Sequence, residues 1–187
     1  MARYLTTTEL DAGLDEIRRA PRNDGVLKLI VRRPSVGERE VMVEAALDLA
    51  QGLVGDNWSR RTGGRTVDGS ADSDMQLNIM NARVIALLAQ EADRWPLAGD
   101  QLYLDMDLSD ENLPPGTRLA LGGAVIEITA QPHTGCGKFS ERFGPDATRW
   151  VNSPVGKALH LRGVNARVVT PGAIRVGDRA TKQSPPR

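Results

Sequence analysis

The sequence predicts a mainly β domain with peripheral helices, an α+β chain whose strands close or partly close into a barrel. Three observations carry this. Short runs that alternate or are apolar throughout recur at 26–31, 102–108, 118–121, 124–129 and 164–169, each bounded by turn residues. Glycine and proline (19 and 11 of 187 residues) are frequent enough to punctuate that many strands. Helical patterns are few and do not alternate regularly with strands, which argues against a parallel βαβ sheet.

Each element has its own signal. Thr6-Thr7-Thr8-Glu9 is a capping box, followed by Leu10, Leu14 and Ile17 at helical spacing and a stop at Pro21. After the turn Asn23-Asp24-Gly25, residues 26–31 read as a buried strand ended by Arg32, Arg33 and Pro34. Ser35-Val36-Gly37-Glu38 is again box-like, and Val41, Ala45, Leu49 and Leu53 predict a second helix running to Gly55. Residues 59–74 form a polar loop with Arg60, Arg61 and Arg65 around Gly63-Gly64. A half-buried strand over 75–80 runs into a helix over 81–89, which Trp95-Pro96 closes off. Residues 118–121 and 124–129 make a hairpin about Gly122-Gly123. Helical turns are expected at 146–151 and from Ser153-Pro154, and a last pair of strands at 164–169 and 173–176. The chain thus divides into an N-terminal helical extension (1–25), one barrel domain (26–180) and a disordered tail (181–187).

Composition narrows the function. With 24 basic and 24 acidic residues there is no global field toward nucleic acid or an anionic membrane, so any anion site has to be local. No segment approaches the roughly 20 apolar residues of a membrane span, and one cysteine allows no internal disulfide. A cytoplasmic protein that contacts neither nucleic acid nor membrane is the expectation. One Cys and two His also disfavour a closed zinc site.

The chemistry converges on residues 127–139, where Cys136 stands between Gly135 and Gly137 at the end of a strand. A thiol so placed is presented to a ligand, and as a thiolate it serves either as a soft metal ligand or as a nucleophile. His133, Lys138, Arg142 and His160 lie near it in sequence, and any of them brought close would favour the thiolate.

Taken in order, several features resemble the MOSC family, named for the C-terminal domain of molybdenum-cofactor sulfurase. They are Gly55-Asp56, the strand Gly122–Thr129 leading to Cys136, Lys138-Phe139, Leu161-Arg162-Gly163 with the strand after it, and Gly172-Ala173-Ile174-Arg175-Val176-Gly177-Asp178. Asn57-Trp58 departs from the basic or histidine-containing sequence common after Gly-Asp. The resemblance implies a MOSC-type β-barrel that handles molybdenum cofactor (molybdopterin) or sulfur, with Cys136 as metal ligand and reactive residue and His133 beside it in catalysis. Arg61, Lys138, Arg142 and Arg162 are candidates to hold the pterin phosphate, and Asp56 either to bond a pterin ring nitrogen or to cap the turn that follows it. Two roles follow. One is a molybdenum-dependent oxidoreductase that reduces N-hydroxylated or similar small substrates with electrons from a partner reductase. The alternative is a sulfur carrier, holding on Cys136 a persulfide delivered by a pyridoxal-phosphate cysteine desulfurase. The chain has no length for a pyridoxal-phosphate domain of its own, and the oligomeric state stays open.

Overall fold

Seven strands close into a barrel in the order β11-β7-β8-β9-β5-β6-β1, and β1 pairs back onto β11 through Gly25–Ala180 and Val26–Arg179. The computed structural model describes residues 3–61 and 65–183. The barrel strands are β1 (Gly25–Arg32), β5 (Leu77–Asn81), β6 (Leu102–Asp105), β7 (Arg118–Leu121), β8 (Ala124–Ile128), β9 (Val164–Thr170) and β11 (Arg179–Lys182). Outside it, β2 (Glu40–Met42) extends the sheet from β1, while β3 (Glu44–Asp48), β4 (Gly52–Leu53) and β10 (Gly172–Arg175) form a second, three-stranded sheet. Among the described residues the one parallel barrel pairing is β5–β6. A parallel pair needs a crossover connection, and α3 (Ala82–Ala89) supplies it.

Two apolar cores result. Leu27, Ile30, Leu104, Leu119, Ile126 and Ala166 fill the barrel. On its outer face Val31, Met80 and Tyr103 pack beneath the helices α1 (Thr7–Ala12), α2 (Leu14–Arg18), α3, α4 (Gly137–Phe143) and α5 (Pro145–Asn152), which contribute Leu10, Ile17, Ile85, Phe139, Phe143 and Trp150. A short α6 (Pro154–Ala158) leads into β9. Strands covered on both sides lose their alternation. That is why β5, expected to be half-buried, is buried at all five positions. No helix among the described residues is long and apolar enough to cross a membrane.

Local signals account for the helix ends. The Thr6–Glu9 capping box is formed, and the Asn81 side chain caps α3 by accepting from the N–H groups of Arg83 and Val84. The helix stops at Ala89, where Gln90 is left-handed at φ 62°, and Pro96 falls in a separate 3-10 segment, Ala92–Ala98.

Two expectations are corrected, and one helix appears where none is predicted. The helix over 36–53 is instead β2, β3 and β4. Gly37 turns the chain at φ 90°, and Asp48 accepts from the N–H groups of Ala50 and Gln51 to make the β3–β4 turn. The supposed helical stripe is not a buried face, since Val41 and Leu49 are exposed and the buried pair is Leu47 and Leu53. Pairing with β1 and β10 overrides the periodicity. At the tail, Thr181 and Lys182 belong to β11, paired with Ala120 and Leu119, so the barrel takes in Gly25 at one end and Lys182 at the other. Residues 184–187 of the expected tail lie outside the described residues. Finally, α4 begins directly after Cys136, where Gly137 had hidden it.

Gly163 delivers the chain from α6 into β9 at φ 107°, with the site of a Cβ only 2.2 Å from the carbonyl oxygen of Ile79. Gly163→Ala therefore meets backbone, not a flexible side chain. The expected loss is about 3 kcal/mol, a fall in melting temperature of roughly 6–12 °C for a domain of this size, read by thermal unfolding.

Candidate functional site

Cys136 is exposed at the mouth of a cavity of about 270 Å³ between the barrel end and α4. Its backbone is fixed from both sides. Upstream, Gly135 and Asn152 exchange hydrogen bonds, Gly135 N–H donating to Oδ1 at 2.9 Å and Nδ2 donating to the Gly135 carbonyl at 3.0 Å. Downstream, the Cys136 carbonyl accepts from the N–H groups of Phe139 and Ser140, both at 3.0 Å, and the buried Phe139 ring anchors the helix. The thiol is thus held in place while its side chain stays accessible.

Six cationic side chains line the cavity, Arg33, Arg39, Arg61, Lys138, Arg142 and Arg162, and among the described residues no carboxylate does. Two of the six are neutralised from below. Arg33 grips Asp56 through Nε (2.9 Å) and Nη2 (2.8 Å), and Arg162 Nη1 donates to both oxygens of Asp100 at 2.9 and 2.7 Å. The other four make no ion pair among the described residues; Arg39 and Arg142 bond carbonyl oxygens of the 3-10 segment at Pro96 and Leu97. Burial, and then the neighbouring charge of Arg142, holds Arg39 below its ordinary pKa. Burial and then Arg33 do the same to Arg61. Mutual repulsion of this kind is relieved by an anion.

His133 stands at the inner wall, its Nε2 2.8 Å from Asp100 Oδ1. Burial first, and Arg162 next, lower its pKa against the pull of Asp100, so the imidazole is neutral at neutral pH. Burial pushes the Asp100 carboxyl up, and Arg162 with His133 overcomes this and holds it below the ordinary range. Among the described residues two buried polar atoms at the cavity have no partner: Asn57 Oδ1 and Arg162 Nε. A second cavity of about 230 Å³ lies behind the same wall, sharing His133, Thr134 and Arg162, with Lys157, His160 and Asp110 on its far side.

Of the residues picked out in the sequence, Cys136, His133, Arg61, Lys138, Arg142 and Arg162 are brought together around one cavity. Asp56 does not line it. Its side chain is fully buried beneath, its Oδ2 also accepting the Arg33 N–H and its Oδ1 the Trp58 N–H, so its carboxylate orients Arg33 and has no lone pair directed at a pterin. Of the other arginines in the 59–74 loop, Arg60 donates to Pro34 and Arg65 to Gly69, away from the cavity. Arg33, Arg39 and Asn57 were missed. Arg39 was hidden by the mistaken helix, and Arg33 by reading Arg32-Arg33-Pro34 only as a strand end. Among the described residues there is no cluster of three or more His, Cys, Asp or Glu to hold a metal by protein ligands alone.

The family model described as the MOSC domain matches residues 60–181, which hold most of the barrel and Cys136. Solved structures share the fold. The YuaD protein from Bacillus subtilis is 21% identical, with a TM-score of 0.62 over 87% of this chain and 97% of that one. YiiM from Escherichia coli is 20% identical, with a TM-score of 0.56 over 86% and 71%. YiiM from Geobacillus stearothermophilus is 14% identical, with a TM-score of 0.54 over 88% and 75%. No curated protein matches the chain in sequence.

Removing one partner of a buried ion pair is costly, so Asp56→Ala is expected to lose about 3–5 kcal/mol in urea unfolding, part of it recovered by adding Arg33→Met. The lowered pKa of His133 has a defined sign. Below its ordinary value of 6.5 the unfolded chain binds a proton there that the folded chain refuses. Stability contributed by this residue therefore falls as pH drops. Unfolding at about pH 7.5 and pH 5.5 is expected to show a larger loss for the wild type than for His133→Gln.

Proposed function

Because the chain belongs to the MOSC domain family, we propose that it binds molybdenum cofactor in the cationic cavity, with the Cys136 thiolate as the protein's ligand to the metal. The observation that carries this reading is an exposed thiol beside four cations that no carboxylate neutralises among the described residues. The donor set fits the group. A thiolate suits a soft metal centre, guanidinium and ammonium groups suit a pterin phosphate, and the unpartnered Asn57 Oδ1 and Arg162 Nε suit a ring bearing both donors and acceptors. With no other metal ligands gathered among the described residues, the chain would leave the remaining coordination to the cofactor.

When bound, the cofactor supplies two-electron oxygen-atom chemistry, which makes N-hydroxylated or similar small compounds the proposed substrates and a separate reductase the proposed electron source. The protein's own part is positional and electrostatic. Arg39, Arg61, Lys138 and Arg142 hold the phosphate end, the Asn152 clamp and the Phe139 anchor fix the Cys136 backbone, and neutral His133 accepts or returns a proton at the cavity wall.

The exposure of Cys136 favours one competing reading, a sulfur carrier, since a desulfurase partner could reach the thiol directly. One experiment separates the two. Wild type and Cys136→Ser are purified from cells that make molybdenum cofactor and analysed for metal. Near-stoichiometric molybdenum in the wild type and its loss in a variant with unchanged melting temperature is the expected result. Equal molybdenum in both removes Cys136 as the ligand. No molybdenum in either, with a gain of about 32 Da on Cys136 after incubation with a cysteine desulfurase, establishes the carrier instead.

A further inference from the structure

Asp100 lines neither cavity, yet it touches the two side chains, His133 and Arg162, that form the wall between them. Its side chain is completely buried, and its two oxygens receive Arg162 Nη1 twice and His133 Nε2 once. We propose that Asp100 is a positioning residue: it holds the imidazole of His133 in the Nε2–H tautomer, so that Nδ1 is the proton acceptor of the site, and fixes the Arg162 guanidinium at the same time. This rests on the functional reading above only in giving that proton acceptor a use.

An ionised carboxylate can only accept hydrogen bonds, so the ring nitrogen facing it must carry the hydrogen. A neutral imidazole has one N–H. With burial and the charges of Arg162 and Arg33 keeping the ring neutral, placing that hydrogen on Nε2 leaves a lone pair on Nδ1. The ring is also held by shape. Its Cδ2 lies against Gly163, 3.2 Å from where a Cβ would stand, and Nδ1 occupies the opposite edge, with no hydrogen bond among the described residues. A flip of the ring would surrender the Asp100 bond.

Arg162 is fixed by the same carboxylate and by two further contacts, Nη2 to the Ala98 carbonyl at 3.0 Å and the guanidinium over the Phe139 ring at 4.9 Å. One buried charge therefore sets both the basicity and the geometry of the wall. A proton released by a water or a ligand against this wall passes to Nδ1 and returns from it. The resulting imidazolium is countered by Asp100, and no other atom is exchanged.

The test needs no metal. The sequence has only two histidines, so side-chain proton–nitrogen correlation spectra of histidine-labelled protein are assigned by comparison with His160→Gln. At neutral pH the wild type is expected to show His133 as a single Nε2–H tautomer with an unprotonated Nδ1. A His133 that is Nδ1–H or doubly protonated overturns the proposal without any variant. In Asp100→Asn, Arg162 has only donors and takes the amide oxygen, which turns the amide NH₂ toward His133 and makes Nε2 an acceptor. The tautomer is therefore expected to switch to Nδ1–H, which simple loss of packing would not produce. Retention of the wild-type Nε2–H pattern in a folded Asp100→Asn overturns it. Should that variant fail to fold, the wild-type spectrum still decides. Failure to load molybdenum would sink the cofactor reading and leave this result standing, so the two are tested apart.

Discussion

Two buried carboxylates, Asp56 and Asp100, allow six cationic side chains to gather at one end of the barrel. An uncompensated guanidinium cannot be buried cheaply, and Arg33 and Arg162 are both almost wholly buried. Each is accommodated because a carboxylate reaches it from below and a carbonyl oxygen, Gly99 for Arg33 and Ala98 for Arg162, accepts a further hydrogen, although the Nε of Arg162 stays unpartnered among the described residues. Charge at the floor is thereby balanced, while charge at the rim, on Arg39, Arg61, Lys138 and Arg142, meets no carboxylate among the described residues.

The floor continues into the barrel as a connected polar network. Arg33 also donates to Asn78, Asn78 to Asn165, and Asn165 to the carbonyl of Gln131, at the start of the segment that carries His133 and Cys136. Gln101 joins Asp56 to the β5 backbone, and Gln76 reaches across to β9. A buried network so nearly satisfied specifies one arrangement of its members. It links the Gly55-Asp56 corner to the cysteine loop through residues 23 to 87 positions apart in sequence, a coupling that no local pattern carries.

What was legible in the sequence follows from that distinction. Strands with apolar runs and clear turns, such as the hairpin at Gly122-Gly123, declare themselves locally, and so does a lone cysteine between glycines. Residues whose role is set by distant partners do not. Asp100 ends an unremarkable Ala-Gly-Asp, and only the approach of β9 and the His133 loop gives it meaning. Asp56 is visible as part of a motif and as a cap for the turn after it, which its bond from the Trp58 N–H bears out, but its main partner Arg33 is not, and a ligand contact is expected where the carboxylate is buried under a guanidinium. The region of β2 to β4 misled for the opposite reason: a helical spacing existed by chance in strands whose exposure reflects their place on the outside of the barrel.

The N-terminal helices bear on the thiol although they lie far from it in sequence. Asp11 accepts from the Trp150 indole, and the Thr7 N–H donates to Asp146, so both grip α5, the helix whose Asn152 clamps Gly135. The extension is thus a brace on the cysteine loop. A shortened version of this protein, trimmed to the barrel for convenience, would keep every residue lining the cavity and lose the strut that holds its cysteine loop still.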